Sequence, residues 1–213
     1  YGRKTDGDAS PVLSGKGTDG VPLAGHQHAF YLPTDEDDDG RLDHLNVWAP
    51  SGFGEAEMNA LAGLSMLKVG TGDHPVTLVF LDCGQPEDFR DIVPVFQAAR
   101  TWRTVTPFVL NRHMKLRGVG EKRLVDGPLD QVRREVGLRP QITAALDEAE
   151  YAPPIRVQKW RTVYPLEFYR WRQGRRQGGS AYNVFLRFTE PAAGPIALGY
   201  GCHFGLGLFI PVT

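Results

Sequence analysis

Three histidines, His26, His28 and His44, and six carboxylates, Asp35, Glu36, Asp37, Asp38, Asp39 and Asp43, share the stretch GHQHAFYLPTDEDDDGRLDHLNVWAP. Imidazoles titrate near neutrality and can give or take a proton, whereas closely spaced carboxylates can hold a hard cation. Asp35, Asp37 and Asp39 alternate, Gly40 follows, Leu42 takes the apolar place and Asp43 is a further ligand candidate, as in the first half of a calcium loop. The twelfth place, which needs a bidentate Glu, is Asn46, and the flanks read as strands rather than helices. A solvated acidic tip is therefore favoured over an ion site. His26 and His28 are i and i+2, so on a strand they share a face, and a hairpin closed by the acidic turn would return His44 toward His28. Such a group reads either as a metal site or as a proton-transfer site, and no carboxylate outside the turn is placed to complete a metal set. A third reading leaves the histidines as hydrogen-bonded or surface groups without catalytic work.

Proton transfer suits an RNA substrate. A 2′-hydroxyl loses its proton as it attacks the adjacent phosphate, and the departing 5′-oxygen gains one, so neither metal nor cofactor is required. His28 or His44 would be base or acid with His26 as helper, and Lys115, Arg112 or Arg117 would meet the charge on phosphorus. Charge placement fits a polyanionic partner. Residues 1–99 carry 6 Lys/Arg against 16 Asp/Glu, a balance of -10, while residues 100–187 carry 18 against 8, a balance of +10. The alternative is that the two halves attract one another. The basic stretches are RTWRTVTPFVLNRHMKLRG, with Arg100, Arg103, Arg112, His113, Lys115 and Arg117, and KWRTVYPLEFYRWRQGRR, with Lys159, Arg161, Arg170, Arg172, Arg175 and Arg176. Aromatics interleave with the bases in the second, as single-strand or hairpin RNA binding needs.

In GPIALGYGCHFGLGLFIPV, Gly194, Gly199, Gly201, Gly205 and Gly207 interrupt an apolar run that also holds His203. Either backbone N–H groups approach phosphates there, or a bulged strand pair uses glycine to make room for packing. No GKS or GKT follows, which excludes a phosphate loop of the nucleotide-hydrolase kind. The two cysteines, Cys83 and Cys202, lie in no ligand spacing, so neither a disulfide framework nor a thiolate zinc site is expected, and a reducing cytoplasm is the default location. No apolar run reaches the roughly 20 residues that span a bilayer, and the start lacks the plan of a signal peptide. The first residue is not Met, so the chain is expected to be a piece of something longer.

The elements that must position these groups follow from periodicity. Residues 1–25 read as a linker or flexible entry, 26–99 as a first α+β half and 100–213 as a second. HAFYLP and HLNVWAP are strands around the acidic turn. GEAEMNALAGLSMLK is a helix with Met58, Leu61, Leu64 and Leu67 in register and Gly70 as its stop, and PVTLVFLDC is a strand buried on both faces. DGPLDQVRREVG is a helix capped by Asp126, with Pro128 in its first turn, Leu129, Val132 and Val136 inward and Gly137 at its end. RPQITAALDEA adds a short helix. AYNVFLRF alternates Tyr182, Val184, Leu186 and Phe188 against Asn183, Phe185 and Arg187. The repeated grammar suggests tandem ferredoxin-like (RRM-like) folds, with antiparallel sheets and helices on one face, whose open sheets can bind RNA.

Three ordered blocks, GHQHAFYLPTDEDDDGRLDHLNVWAP, RTWRTVTPFVLNRH and LGYGCHFGLGLF, resemble the C-terminal, Cas-six-like half of the fused Cas-five/Cas-six subunit of type I-G (formerly I-U) CRISPR systems, from about Ser14 onward. The resemblance implies tandem ferredoxin-like folds of the repeat-associated RNA-binding superfamily and an RNA-contacting glycine-rich loop, here Gly199, Gly201, His203, Gly205 and Gly207. It also implies metal-independent cleavage of precursor CRISPR RNA to a 2′,3′-cyclic phosphate, with the product retained in an interference complex beside other subunits. The catalytic role carries over to the HQH and DH motifs. A non-cleaving subunit that caps a guide-RNA hairpin is the alternative.

Overall fold

A computed structural model describes residues 9–37, 39–68, 75–118, 123–157, 161–168, 170–172, 175–177 and 180–212. Of these, 116–117, 123–124, 155–157, 161–163, 165–166, 170–172 and 175–177 are described by backbone alone. The chain divides into two units, Tyr1–Phe30 with Val47–Gly84, and Tyr31–Asn46 with Gln85–Thr213. It is an α+β protein with mainly antiparallel sheets and few helices.

Order begins earlier than the composition of residues 1–25 suggests. Helix α1 (Pro11–Ser14) starts at Ser10, whose Oγ accepts from Leu13 N and donates to Glu57 Oε1 at 2.6 Å, and Leu13 is buried. Strands β1 (Phe30–Thr34) and β2 (His44–Trp48) pair across the acidic turn, as their β-prone sequences lead one to expect. The next helix is shorter than its periodicity implies: α2 (Glu55–Ala62) ends at Gly63 and buries no residue completely, because Met66–Leu67 leaves the helix to form β3 against β4 (Val76–Thr77). PVTLVFLDC is not a buried strand. Beyond Leu78, whose N–H donates to Ser65 O, no strand pairs with it among the described residues, and Val79 and Leu81 stand 75% and 70% exposed.

The second unit holds the core. Strand β5 (Ala98–Thr104) is followed by β6 (Phe108–Val109), the hairpin β7 (Lys115–Arg117) and β8 (Arg123–Val125), and helix α3 (Pro128–Gly137). Then come β9 (Leu146–Tyr151), the hairpin β10 (Ile155–Val157) and β11 (Arg161–Val163), and a second basic hairpin, β12 (Arg170–Arg172) with β13 (Arg175–Gln177). β14 (Ala181–Tyr182) pairs with β6, and β15 (Val184–Ala193) and β16 (Phe209–Pro211) complete the order β16-β5-β15-β9, antiparallel throughout.

Alternation decides the faces of this sheet. Val184, Leu186 and Phe188 of β15, with Trp102, Ala149 and Phe209, join Val132 and Val136 of α3 in one cluster, and Leu129 packs at its margin. The inward faces of α3 and β15 are thus the expected ones. Two local readings change. The N-cap of α3 is Gly127, whose N–H is held by Asp130 Oδ2 at 3.0 Å, while Asp126 precedes it at φ +61°. ALDEAEY is strand rather than helix: good helix formers yield to ladder pairing with β15, where Ala149 faces Leu186.

Candidate active site

The expected histidine cluster is not built on a strand. His26 lies in a turn at φ +53°, and His28 sits at a bend before β1, half-buried, its ring against Gly15. A Cβ on Gly15 would lie 2.6 Å from His28 Cδ2. Burial pushes the His28 imidazole below its usual pKa, favouring the neutral ring. His44 opens β2 at the turn end of the hairpin, where Asp43 N donates to Thr34 O and Asn46 Nδ2 to Thr34 Oγ1. Closing the hairpin therefore sets the start of β2 beside Thr34, the last residue of β1. His44 Nδ1 is 2.7 Å from Asp43 Oδ1, and this contact holds the exposed Asp43 carboxyl below its ordinary range.

The acids have a structural task. Asp35, Asp37 and Asp39 draw their carboxylates within 4.8 Å of one another, and they accept from the turn's own amides. Asp39 N donates to Asp35 and Asp37, Gly40 N to Asp35 Oδ2 at 2.7 Å, and Arg41 N to Asp39 Oδ1 at 2.8 Å. These bonds close the loop between β1 and β2.

A cleft of about 750 Å³ in the second unit collects three of the residues expected to bind RNA, Arg112, His113 and Lys115, and faces them with Val125, Asp126, Asp130 and Arg134. One wall is the segment leaving β6; the other is the start of α3. Both are pinned by Gln131, which is 1% exposed. Its Nε2 donates to Arg112 O and Asp126 O, each at 3.0 Å, and its Oε1 accepts from Arg112 N at 3.2 Å. Asp126 holds Arg134 at 2.6 Å. Strain at its left-handed backbone, of order 1–2 kcal/mol for a residue with a Cβ, is stored beside the cleft.

The second wall was legible in principle. Asp130 and Arg134 are i and i+4 and so share a face of the helix, with Asp126 one such step before them, although an Asp at that place reads first as a cap.

The remaining candidates scatter. Arg103 is exposed on the open face of the sheet, where the register sets it opposite Phe185 and Ile210. That face also carries Arg187 and its partner Glu148 at 3.6 Å, with Glu150 opposite Phe185, so its charges balance and it offers one ring for stacking. Arg117 ends β7, Arg161 begins β11, and Arg170 and Arg172 bound β12, while Lys159 lies outside the described residues. His203 is half-buried in a 3₁₀ turn, Cys202–Phe204.

The glycines answer to packing. A Cβ on Gly199 would lie 2.6 Å from Val109 O and 2.7 Å from the Phe108 ring; one on Gly201 would meet Leu206, and one on Gly205 would meet Pro33. The N–H groups of Gly205 and Gly207 donate to Cys202 O and Pro107 O, which removes them as phosphate donors.

Cys202 is buried, and burial pushes its thiol up to about 11 from 9.0 against the opposing pull of Arg139. A thiol whose folded pKa is raised stabilises the fold fully below about pH 9 and loses that contribution as pH climbs through 11. Stability should therefore fall between pH 9 and 11, less steeply in Cys202→Ala, as urea midpoints at each pH would record. Iodoacetamide at pH 8 should modify exposed Cys83 and spare Cys202 until denaturant is added. No helix among the described residues is long and apolar enough to cross a membrane. No protein-family model, curated protein or solved structure matches the chain significantly.

Proposed function

We propose that the chain is a CRISPR repeat-RNA processing endoribonuclease that works without metal and keeps its product within an interference complex in the cytoplasm. The observation that carries this reading is the cleft in which Arg112 and Lys115 flank an exposed imidazole. Two cations can hold a phosphodiester and stabilise the charge that grows on it, and an imidazole can move a proton near neutral pH. In the reaction the 2′-oxygen loses its proton and bonds to phosphorus, the bond to the 5′-oxygen breaks, and that oxygen takes a proton. A 2′,3′-cyclic phosphate and a 5′-hydroxyl result, with no water consumed.

Backbone register adds support. Arg117 stands opposite Arg123, and Arg172 opposite Arg175. The order β16-β5-β15-β9 with α3 on one face supports a ferredoxin-like reading of the 100–213 half. The balanced charge of the open sheet face favours the cleft and the basic hairpins over the sheet as the RNA track.

Incubation with a repeat RNA in EDTA tests the reading. Cleavage that survives chelation, yields a cyclic phosphate end and stops when the scissile nucleotide is 2′-deoxy is the expected result. Tight binding with the RNA left whole would instead identify a hairpin-capping subunit. Affinity should fall steeply with salt and drop further in Arg170→Ala/Arg172→Ala than in Arg3→Ala/Lys4→Ala. A flat salt response would remove RNA as the partner.

A further inference from the structure

The segment that leaves β6 is exposed from Asn111 to Lys115 and is anchored on either side of His113. Asn111 Nδ2 donates to Glu135 Oε1 at 2.8 Å, and the Arg112 backbone is gripped at both N and O by the buried Gln131. After it, Met114 Sδ receives the Tyr182 hydroxyl at 3.8 Å. Between these anchors stands His113, exposed and lining the cleft. An imidazole next to a backbone unit held by the buried Gln131 is what proton transfer to a bound phosphodiester needs: the ring is reachable while the residue before it is fixed.

We propose that His113 is the catalytic proton-transfer residue of this cleft, with Arg112 and Lys115 holding the scissile phosphate. The assignment rests on the RNA-processing reading and replaces His26, His28 and His44 in it. The environments of those three explain why. His44 is tied to Asp43 beside a turn whose carboxylates repel a phosphate backbone, and His28 is half-buried with its ring against Gly15. His26 belongs to a left-handed turn rather than to a face shared with His28. The groups that face His113 are Arg112 and Lys115 on its own wall and Asp126, Asp130 and Arg134 on the wall of α3, with Arg134 already paired to Asp126. Asp130 in turn accepts from Gly127 N and lies 3.8 Å from Arg133, so both acids of the far wall are engaged on their own side and the cations of the near wall are left to the phosphate. A volume of about 750 Å³ admits a nucleotide and its flanking phosphates.

The test is single-turnover cleavage of a repeat RNA by the full chain and by His113→Ala and His113→Gln, with RNA affinity and thermal melting measured on each. A proton-transfer role is expected to show as a loss of about 100-fold or more in the cleavage rate, with affinity within about threefold of wild type. Imidazole in the buffer should restore part of the rate to His113→Ala, an effect that a structural or purely binding role would not give. Cleavage by His113→Ala within about threefold of wild type, or a rate loss matched by an equal loss of affinity, would overturn the assignment and leave the processing reading standing. A wild-type chain that binds the RNA and leaves it whole overturns that reading and this assignment together.

Discussion

Gly207→Ala should cost about 3 kcal/mol, a large share of the roughly 5–15 kcal/mol that holds a domain folded. Gly207 sits at φ +58°, and an added Cβ would overlap the Leu198 carbonyl oxygen and lie 3.0 Å from its carbon. The left-handed backbone alone costs a residue with a Cβ about 1–2 kcal/mol, and forcing an atom into a filled site costs about 1–3 more. Leu198 has little freedom to yield, because its own N–H donates to Gly207 O at 3.0 Å while Gly207 N donates to Pro107 O at 2.9 Å. The comparison is Gly137→Ala, near the end of α3, where nothing lies within 4 Å of the new Cβ and φ is ordinary. That change should stabilise by about 0.5–1 kcal/mol through helix propensity. Urea unfolding of both variants at unchanged slope decides the matter. A Gly207→Ala midpoint within about 1 kcal/mol of wild type would mean that the two segments do not pack as described. The same geometry bears on function: an RNA-binding loss in a Gly207 variant would report a displaced loop, since its N–H is already committed to Pro107.

Where the sequence states both partners of an interaction, it can be read. Val184, Leu186 and Phe188 alternate, and Leu129, Val132 and Val136 recur at helical spacing, so each announces an inward face, and the two faces meet. Arg112, His113 and Lys115 are neighbours in the chain and reach one cleft together. Reading fails where the outcome depends on a partner supplied from elsewhere. PVTLVFLDC has the composition of a buried strand, yet β3 is two residues long and can pair only Val76 and Thr77. The stretch ALDEAEY prefers helix locally and becomes strand because β15 offers it a ladder. What His44 meets is decided by hairpin pairing, which sets Asp43 N against Thr34 O, and spacing alone does not show that register. The far wall of the cleft went unseen because an Asp before Gly-Pro reads first as a cap, and only the fold shows that Gly127 takes that place.

Arg139→Met should be as damaging as the glycine change, for a different reason. The Arg139 side chain is 1% exposed, its Nη2 is 3.2 Å from Glu135 Oε2, and Glu135 is 8% exposed. Nη2 also lies 3.6 Å from Cys202 Sγ. Methionine approximates the volume of the arginine stem, so the loss is chiefly electrostatic: a carboxylate stays in an apolar interior with the Asn111 amide donating to it. Orphaning one member of a buried pair costs about 3–5 kcal/mol, whereas neutralising both members is often close to harmless. Glu135→Gln added to Arg139→Met should therefore recover about 2 kcal/mol or more in urea unfolding, because a glutamine oxygen still accepts from Asn111 without carrying charge. Glu135→Gln alone should cost less than Arg139→Met, since a guanidinium left beside an amide oxygen keeps a hydrogen bond. If the double variant is no more stable than Arg139→Met, the deficit is lost packing rather than a stranded charge. The same pair of variants also reaches the cleft. Asn111 precedes Arg112 and His113, so a Glu135 side chain that retains its acceptor keeps that segment in place, and Glu135→Leu, which removes it, should loosen the segment as well as the core.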